Sequence, residues 1–429
     1  MKKSVTAAAI LSLAFIASGA GATTLEDVLR EKGVITEEDY KAVTKSRPLD
    51  YRLGEGFTLT SADEKFRLSL GSSLQVRYTL LDLDDANDTA SKQAQNSSKF
   101  ELRRIKLFFN GYAYSKDLTY KVQVNFANNQ NPATTSGLLE ETWLNYRLLD
   151  EVQFRFGQDK VQFGRQFITP STALQFVDQS LVTSAFVPGY DTGVLIHGKV
   201  GGGLVNYSVG GYGGLGQNSY RATNDNAFAA RLSLNPLGDL KYGEPALEGS
   251  AKPLAGVGAS FFRDTLGGSE TNNLNFLKSS GWYGLGNPLF DAAKRIGATE
   301  AIDFNTAEFD AAFKWRGLSA AGEYFIGQAD GQSTGRTLRA QGGYAQVGYF
   351  VIPQKVEIAA RYGYLDPNRD VAGDHVIETA GAVSWYINNN NLKLQADYTA
   401  LHKQKGLAYN SGPNATDDRQ VRFQAQLIF

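Results

Sequence analysis

From residue 65 to the last residue, apolar and polar side chains alternate with a period of two. Phe66, Leu68, Leu70, Leu74, Val76, Tyr78 and Leu80 alternate with Lys65, Arg67, Ser69, Gln75, Arg77 and Thr79. Leu118, Tyr120, Val122, Val124 and Phe126 repeat the pattern around Lys121 and Gln123, and Val356, Ile358, Ala360, Tyr362 and Tyr364 repeat it around Glu357 and Arg361. The chain ends the same way, with Val421, Phe423, Ala425, Leu427 and Phe429 alternating with Arg422, Gln424 and Gln426. A strand with one apolar face gives this pattern. About sixteen such segments fit between residues 65 and 429. A water-soluble sandwich also alternates, so the connections must decide. Alternate connections are very short, at 115–116, 150, 201–202, 316–317, 352–353 and 388–390. Those between them are long and polar, roughly 82–98, 128–137, 159–189, 213–225, 264–303, 328–336, 366–373 and 403–416. The segment 236–252 is the exception, a long connection on the short-turn side. Short turns at one end and long loops at the other predict an all-β, transmembrane antiparallel β-barrel.

Composition agrees with a barrel. The 429 residues are 42% hydrophobic and 20% charged, with 45 glycines and no cysteine. No run approaches the roughly 20 apolar residues of a membrane helix. The lack of cysteine removes disulfides, thiolate metal sites and cysteine nucleophiles. A formal net charge of −1 points away from a nucleic-acid partner. At the start, Lys2 and Lys3 precede the apolar run 7–17, and Ala20-Gly21-Ala22 fits a cleavage site. Residues 1–22 are therefore predicted to be a signal peptide, cleaved near Ala22 during export. Residues 23–64 are predicted to be a short helical periplasmic segment, with helices near 25–32 and 37–45. Thr24 and Thr36 each cap a start with an acid three residues on, and Gly33 ends the first helix. In lipid an open sheet edge leaves costly unpaired amides, so a sheet with its apolar face outward must close. Sixteen strands then enclose a water-filled channel. Tyr112, Tyr114, Tyr349, Phe350, Trp385 and Tyr386 suit interfacial girdles. The terminal Phe429 on an alternating strand looks like a barrel-insertion signal.

Four ordered stretches carry a resemblance. They are 100–111 (FELRRIKLFFNG), 117–126 (DLTYKVQVNF), 140–146 (EETWLNY), and 156–160 (FGQDK) followed by Phe163-Gly-Arg165. With the strand layout they resemble the phosphate-selective porin O and P family of Gram-negative outer membranes. That resemblance implies a homotrimeric sixteen-stranded porin with a loop folded into the lumen. It also implies an anion-selective pore lined by Arg and Lys. The stretch 176–180 departs from it by carrying Gln179 where such porins have a basic residue.

Alternation also assigns faces. The inward positions include Arg67, Arg77, Arg104, Lys106, Lys121, Arg147, Arg155, Lys199, Arg231, Lys314, Arg361, Lys393 and Arg422. Fewer acids share them: Glu141, Asp310, Glu323, Glu357, Glu378 and Asp397. Basic rings favour anions. The phase near Arg103-Arg104 shifts, as a bulge would cause. The loop 159–189 carries two apolar stretches and gains by burying them inside the barrel. Lys160 and Arg165 then stand near a constriction with Lys121, Arg104, Lys106, Arg147 and Arg155, while Arg77, Arg231, Arg361 and Arg422 are further lumen bases. The expected partners are lipid and lipopolysaccharide, further copies of the chain, and small anions such as phosphate. Neither a cofactor nor a metal is expected, and no Ser or acid pair stands beside the three histidines as an enzyme needs. A weakly selective porin and a sheath or receptor for another protein are the competing roles. A sheath needs a lumen without a constriction.

Overall fold

The computed structural model describes residues 25–40, 49–52, 54, 56–82, 96–129, 138–221, 223–267, 300–404 and 415–429. The chain divides into two units, residues 1–48 and 49–429, and each is described by itself. In the first, helix α1 spans Leu25–Glu31 and Gly33 follows it with φ 66°. Thr36 Oγ1 accepts from the Asp39 amide (3.0 Å) and the Asp39 carboxylate accepts from the Thr36 amide (3.1 Å). This pair opens a helical turn at 37–40. The signal peptide, its cleavage site and the remainder of the second helix lie outside the described residues.

The second unit holds eighteen strands: β1 Leu49–Arg52, β2 Gly56–Thr60, β3 Arg67–Asp82, β4 Ser97–Ala113, β5 Ser115–Asn125, β6 Leu139–Leu149, β7 Val152–Lys160, β8 Tyr190–Val200, β9 Val205–Tyr212, β10 Ala227–Leu234, β11 Leu254–Leu266, β12 Ile302–Trp315, β13 Leu318–Gly331, β14 Thr337–Ile352, β15 Val356–Asp366, β16 Val376–Asn388, β17 Leu392–Lys403 and β18 Thr416–Ile428. Strands β3 to β18 pair antiparallel in chain order, and β18 pairs back onto β3. Sixteen strands thus close a barrel and leave no edge for lipid to meet.

Part of the predicted helical segment is instead strand. The β1–β2 hairpin occupies 49–60, and β2 pairs with Arg67–Leu70 of β3. The reason is a stagger at the seam. Strand β18 covers β3 only from Ser73 onward, so the start of β3 would otherwise be a bare edge. Phe429 sits at the junction, donating to Ser72 O (3.0 Å) and accepting from Ser72 N (2.7 Å).

The outward face is apolar. Phe309, Tyr362, Val383 and Phe423 are about half exposed, while their neighbours Glu308, Arg361, Ser384 and Arg422 are buried inside. Of the aromatics expected in girdles, Tyr114, Tyr349 and Trp385 are exposed, while Phe350 and Tyr386 are buried and cannot join one. Consecutive residues of a strand face opposite ways, so both members of each pair cannot meet lipid. Tyr386 instead donates inward to Glu357 Oε2 (2.6 Å).

Two bulges reset the inward face. Gln75 pairs with Arg104 but Val76 with Leu102, so Arg103 is the extra residue of β4. Gln123 pairs with Glu141 but Val124 with Leu139, so Glu140 is the extra residue of β6. Two motif glycines allow strands to approach: a Cβ on Gly111 would run into Arg67 O, and one on Gly157 (φ 127°) into Thr142 O.

Candidate functional site

The connection from β7 to β8, residues 161–189, lies inside the barrel against the inner faces of β11 to β18. It holds helices α2, Arg165–Ile168, and α3, Leu181–Phe186. Ser180 caps α3 by accepting from the Thr183 amide (3.0 Å). Leu181, Val182, Ala185 and Phe186 pack with Phe325, Leu338, Tyr344, Leu365, Val376 and Leu401 of the wall. Phe186 stacks on Phe325 with ring centroids 5.3 Å apart. The barrel therefore has an apolar core inside it, where the alternation alone suggests only polar lumen residues. Wall carboxylates satisfy the loop backbone. Asp397 accepts from Val177 N (3.0 Å), Glu378 from Leu181 N (2.8 Å), and Glu323 from Gln166 N. Lys393 donates to Leu174 O (3.0 Å) and Arg361 to Asp178 O (3.2 Å).

The same wall neutralises its own charges. Arg361 pairs with Glu378 (2.8 Å), Arg422 with Asp397 (2.7 Å), and Arg231 with Asp310 (2.6 Å) and Glu308 (3.1 Å). Arg77, Arg231, Arg361 and Arg422 are thus on the lumen side but buried in ion pairs. Asp178 gathers Arg77 (3.1 Å), Arg103 (3.2 Å) and Arg104 (3.5 Å). Burial pushes its carboxyl up, but the guanidinium groups of Arg103, Arg77 and Arg104 outweigh burial and hold it well below the usual carboxylate range.

Although Val177 and Asp178 of the loop bind Arg77 of β3 and Arg103 and Arg104 of β4, on the other side of the loop the wall of β4 to β7 faces open space. A cavity of about 620 Å³ runs along it, with Lys106, Lys121, Arg155 and Lys160 facing Glu141 and Asp159. Lys106 pairs with Glu140 (2.6 Å), Lys121 with Glu141 (2.5 Å), and Arg155 with Asp159. The Arg155 guanidinium also lies 4.3 Å over the Trp143 ring. Lys160 differs from these three: its ammonium donates to the loop carbonyls of Phe167 (2.6 Å) and Thr169 (3.1 Å). Four of the predicted constriction residues therefore share one cavity. Arg104 is adjacent, donating to Gln75 Oε1 (2.8 Å).

Two predictions are corrected. Arg147 is at the short-turn end of β6, bound to Asp117 (2.7 Å) and Asp150 (3.2 Å) and largely exposed. Its strand runs past the constriction before reaching it. Arg165 is buried behind the loop, 3.8 Å from Asp310, with Tyr242 against its guanidinium. The acid count also rises. Glu308 shares the inward phase of Asp310, Glu140 turns inward through its bulge, and Asp178 is a loop residue that strand phase cannot place. Among the described residues no group of three His, Asp or Glu side chains is placed to hold a metal.

The comparisons agree with this fold. The model of the family described as phosphate-selective porin O and P matches residues 74–429. An uncharacterized protein of Aquifex aeolicus is 25% identical over 406 residues, covering 86% of this chain and 87% of that protein. Among solved structures, an anion-selective porin from Comamonas acidovorans superimposes with TM-score 0.56 at 9% identity, covering 84% of this chain and 99% of that one. The outer membrane channel DcaP of Acinetobacter baumannii gives 0.53 at 13% identity, covering 86% and 99%. At such identities the likeness is one of fold.

Proposed function

The chain belongs to the phosphate-selective porin O and P family of outer-membrane porins, and from that premise we propose that it passes small anions such as phosphate through the cavity between the 161–189 loop and the β4 to β7 wall. The observation that carries this is the division of charge across the lumen. Glu308, Asp310, Glu323, Glu378 and Asp397 of the covered wall are taken up by loop amides and wall arginines, whereas the open cavity presents four cations to two carboxylates. Lys160, with carbonyl partners in place of a carboxylate, leaves a net positive charge in the path. Low-dielectric walls focus such a field on a permeating ion. The family is one of phosphate-selective porins, and the structurally similar porin from Comamonas acidovorans is anion-selective. A loop packed inside the lumen argues against a sheath around another protein, and a porin lumen argues against an enzyme. The export signal with cleavage near Ala22, contact with lipopolysaccharide, and assembly as a homotrimer belong to the same reading.

The test is reversal potential across a planar bilayer under a KCl gradient, followed by added phosphate. An anion-selective potential with phosphate block supports the full reading. Anion selectivity without block supports a general anion porin. A cation-selective potential overturns the charge argument. Chemical cross-linking of the native membrane tests the trimer.

A further inference from the structure

Six of the seven connections at the short-turn end of the barrel are tight, as barrels of this kind require. The seventh, 235–253 between β10 and β11, is not, and its middle lies within the barrel. Leu240 and Ala246 are buried there, and Lys314 of β12 donates to Gly243 O. Glu244 ties the turn to the loop that enters from the other end. Its amide donates to Ala173 O (3.0 Å), and its carboxylate accepts from Gln175 N (2.7 Å) and Gln166 Nε2 (2.8 Å). Tyr242 lies between Leu240 and Glu244 and is half-buried. One side of its ring meets the guanidinium groups of Arg165 (5.1 Å) and Arg231 (5.9 Å). Another side is open. Besides the 620 Å³ cavity, a second of about 240 Å³ runs along β7 to β10 towards Lys199 and Lys241. The two share three residues, Arg155, Gln162 and Tyr242.

We infer that the 235–253 turn forms part of the constriction, and that Tyr242 bounds the solute path opposite Arg155. The inference rests on the porin reading and adds a specificity-determining residue to it. Tyr242 narrows the passage where the two cavities meet, and its hydroxyl offers an anion at Arg155 a neutral donor. Arg165 and Glu244 are positioning residues. The arginine backs the ring, and the glutamate fixes the turn against the loop. This gives Arg165 a role outside the cavity.

The chain has no cysteine, so Tyr242→Cys introduces a single thiol. The purified protein in a planar bilayer is treated with methanethiosulfonate reagents carrying a trimethylammonium or a sulfonate group. The thiol displaces methanesulfinate and forms a mixed disulfide. Before treatment, Tyr242→Cys should conduct more than wild type. Afterwards conductance should fall, and the cationic and anionic adducts should move the reversal potential in opposite directions. Leu237→Cys, an exposed position of the same turn, should be modified without effect. Tyr242→Trp keeps the packing and should lower conductance by itself, which preserves the test if the cysteine variant does not fold. A thiol at 242 that is modified silently, or not at all, overturns the inference, as does unchanged conductance in Tyr242→Trp. Wild-type protein that gives no current overturns the porin reading and this inference with it.

Discussion

Lys160 and Glu141 show how single residues set the field in the cavity. Loop carbonyls and no carboxylate hold the Lys160 amine, whereas Glu141 places a carboxylate in the path beside Lys121. A unit charge a few ångströms from an ion in a partly aqueous pore is worth about 1 kcal/mol, roughly fivefold in a permeability ratio. Lys160→Ala should therefore lower the anion-to-cation ratio several-fold, and Glu141→Gln should raise it, both read from reversal potentials. Variants that move the ratio in the same direction would remove the electrostatic account. Asp178 acts differently, because three arginines converge on it. Breaking a buried ion pair from one side costs about 3–5 kcal/mol. Asp178→Asn should loosen the loop and lower the temperature at which the barrel loses its compact mobility on a gel. The pH dependence follows from the depressed carboxyl. Its contribution is complete above the unfolded value of about 3.9 and is lost only as pH falls through the lower folded value. The stability that Asp178 contributes, read as the difference in gel-shift temperature between wild type and Asp178→Asn, should then be constant from pH 7 to 5.

The elements divide into those whose pattern is written locally and those placed by distant partners. The barrel strands were legible because a period of two, short turns and long loops all point the same way. The β1–β2 hairpin was not, because its four- and five-residue strands are too short for a period and answer only to the bare edge of β3. Glu140 was hidden for a related reason, whereas the bulge expected near Arg103-Arg104 was legible as a break in the alternation and is present. One inserted residue turns two neighbours to the same face, and around Glu140 only the partner strand reveals it. Within the site, Lys106, Lys121 and Arg155 were readable from strand phase. Asp178, Glu244 and Tyr242 were not, since loops and long turns carry no period. Helix α3 was visible only as an apolar stretch too greasy for water. Its packing gives a prediction at this scale. Truncating a buried phenylalanine costs about 3–5 kcal/mol, and Phe186 is almost fully covered against Phe325. Phe186→Ala should free the loop from the wall, giving larger and noisier single-channel currents from a barrel that still closes. Quiet, wild-type currents would mean that the polar latches alone hold the loop.

At the scale of the whole molecule, a nearly neutral chain produces a polarised channel by sorting charges. The formal charge is −1, so anion preference cannot come from net charge. The proposed preference rests instead on the loop covering the carboxylates of the β11 to β18 wall and on Lys106, Lys121, Arg155 and Lys160 lining the open cavity. A preference built this way acts through the field in the cavity. An ion stripped and gripped by a closed ring of donors would be selected by contact instead. The two mechanisms differ in their response to salt. The screening length is about 10 Å at 0.1 M and about 3 Å at 1 M. Ions crossing a water-filled cavity of several hundred cubic ångströms pass beyond the shorter length but within the longer one. The anion-to-cation permeability ratio should therefore be highest in dilute KCl and approach unity near 1 M, at a fixed concentration gradient. Lys160→Ala should flatten that dependence while leaving conductance at 1 M nearly unchanged. A ratio that stays constant across this range would show that permeating anions are held by direct contact, and would place selectivity in the shell of donors around Arg155 instead of in the field of the open cavity.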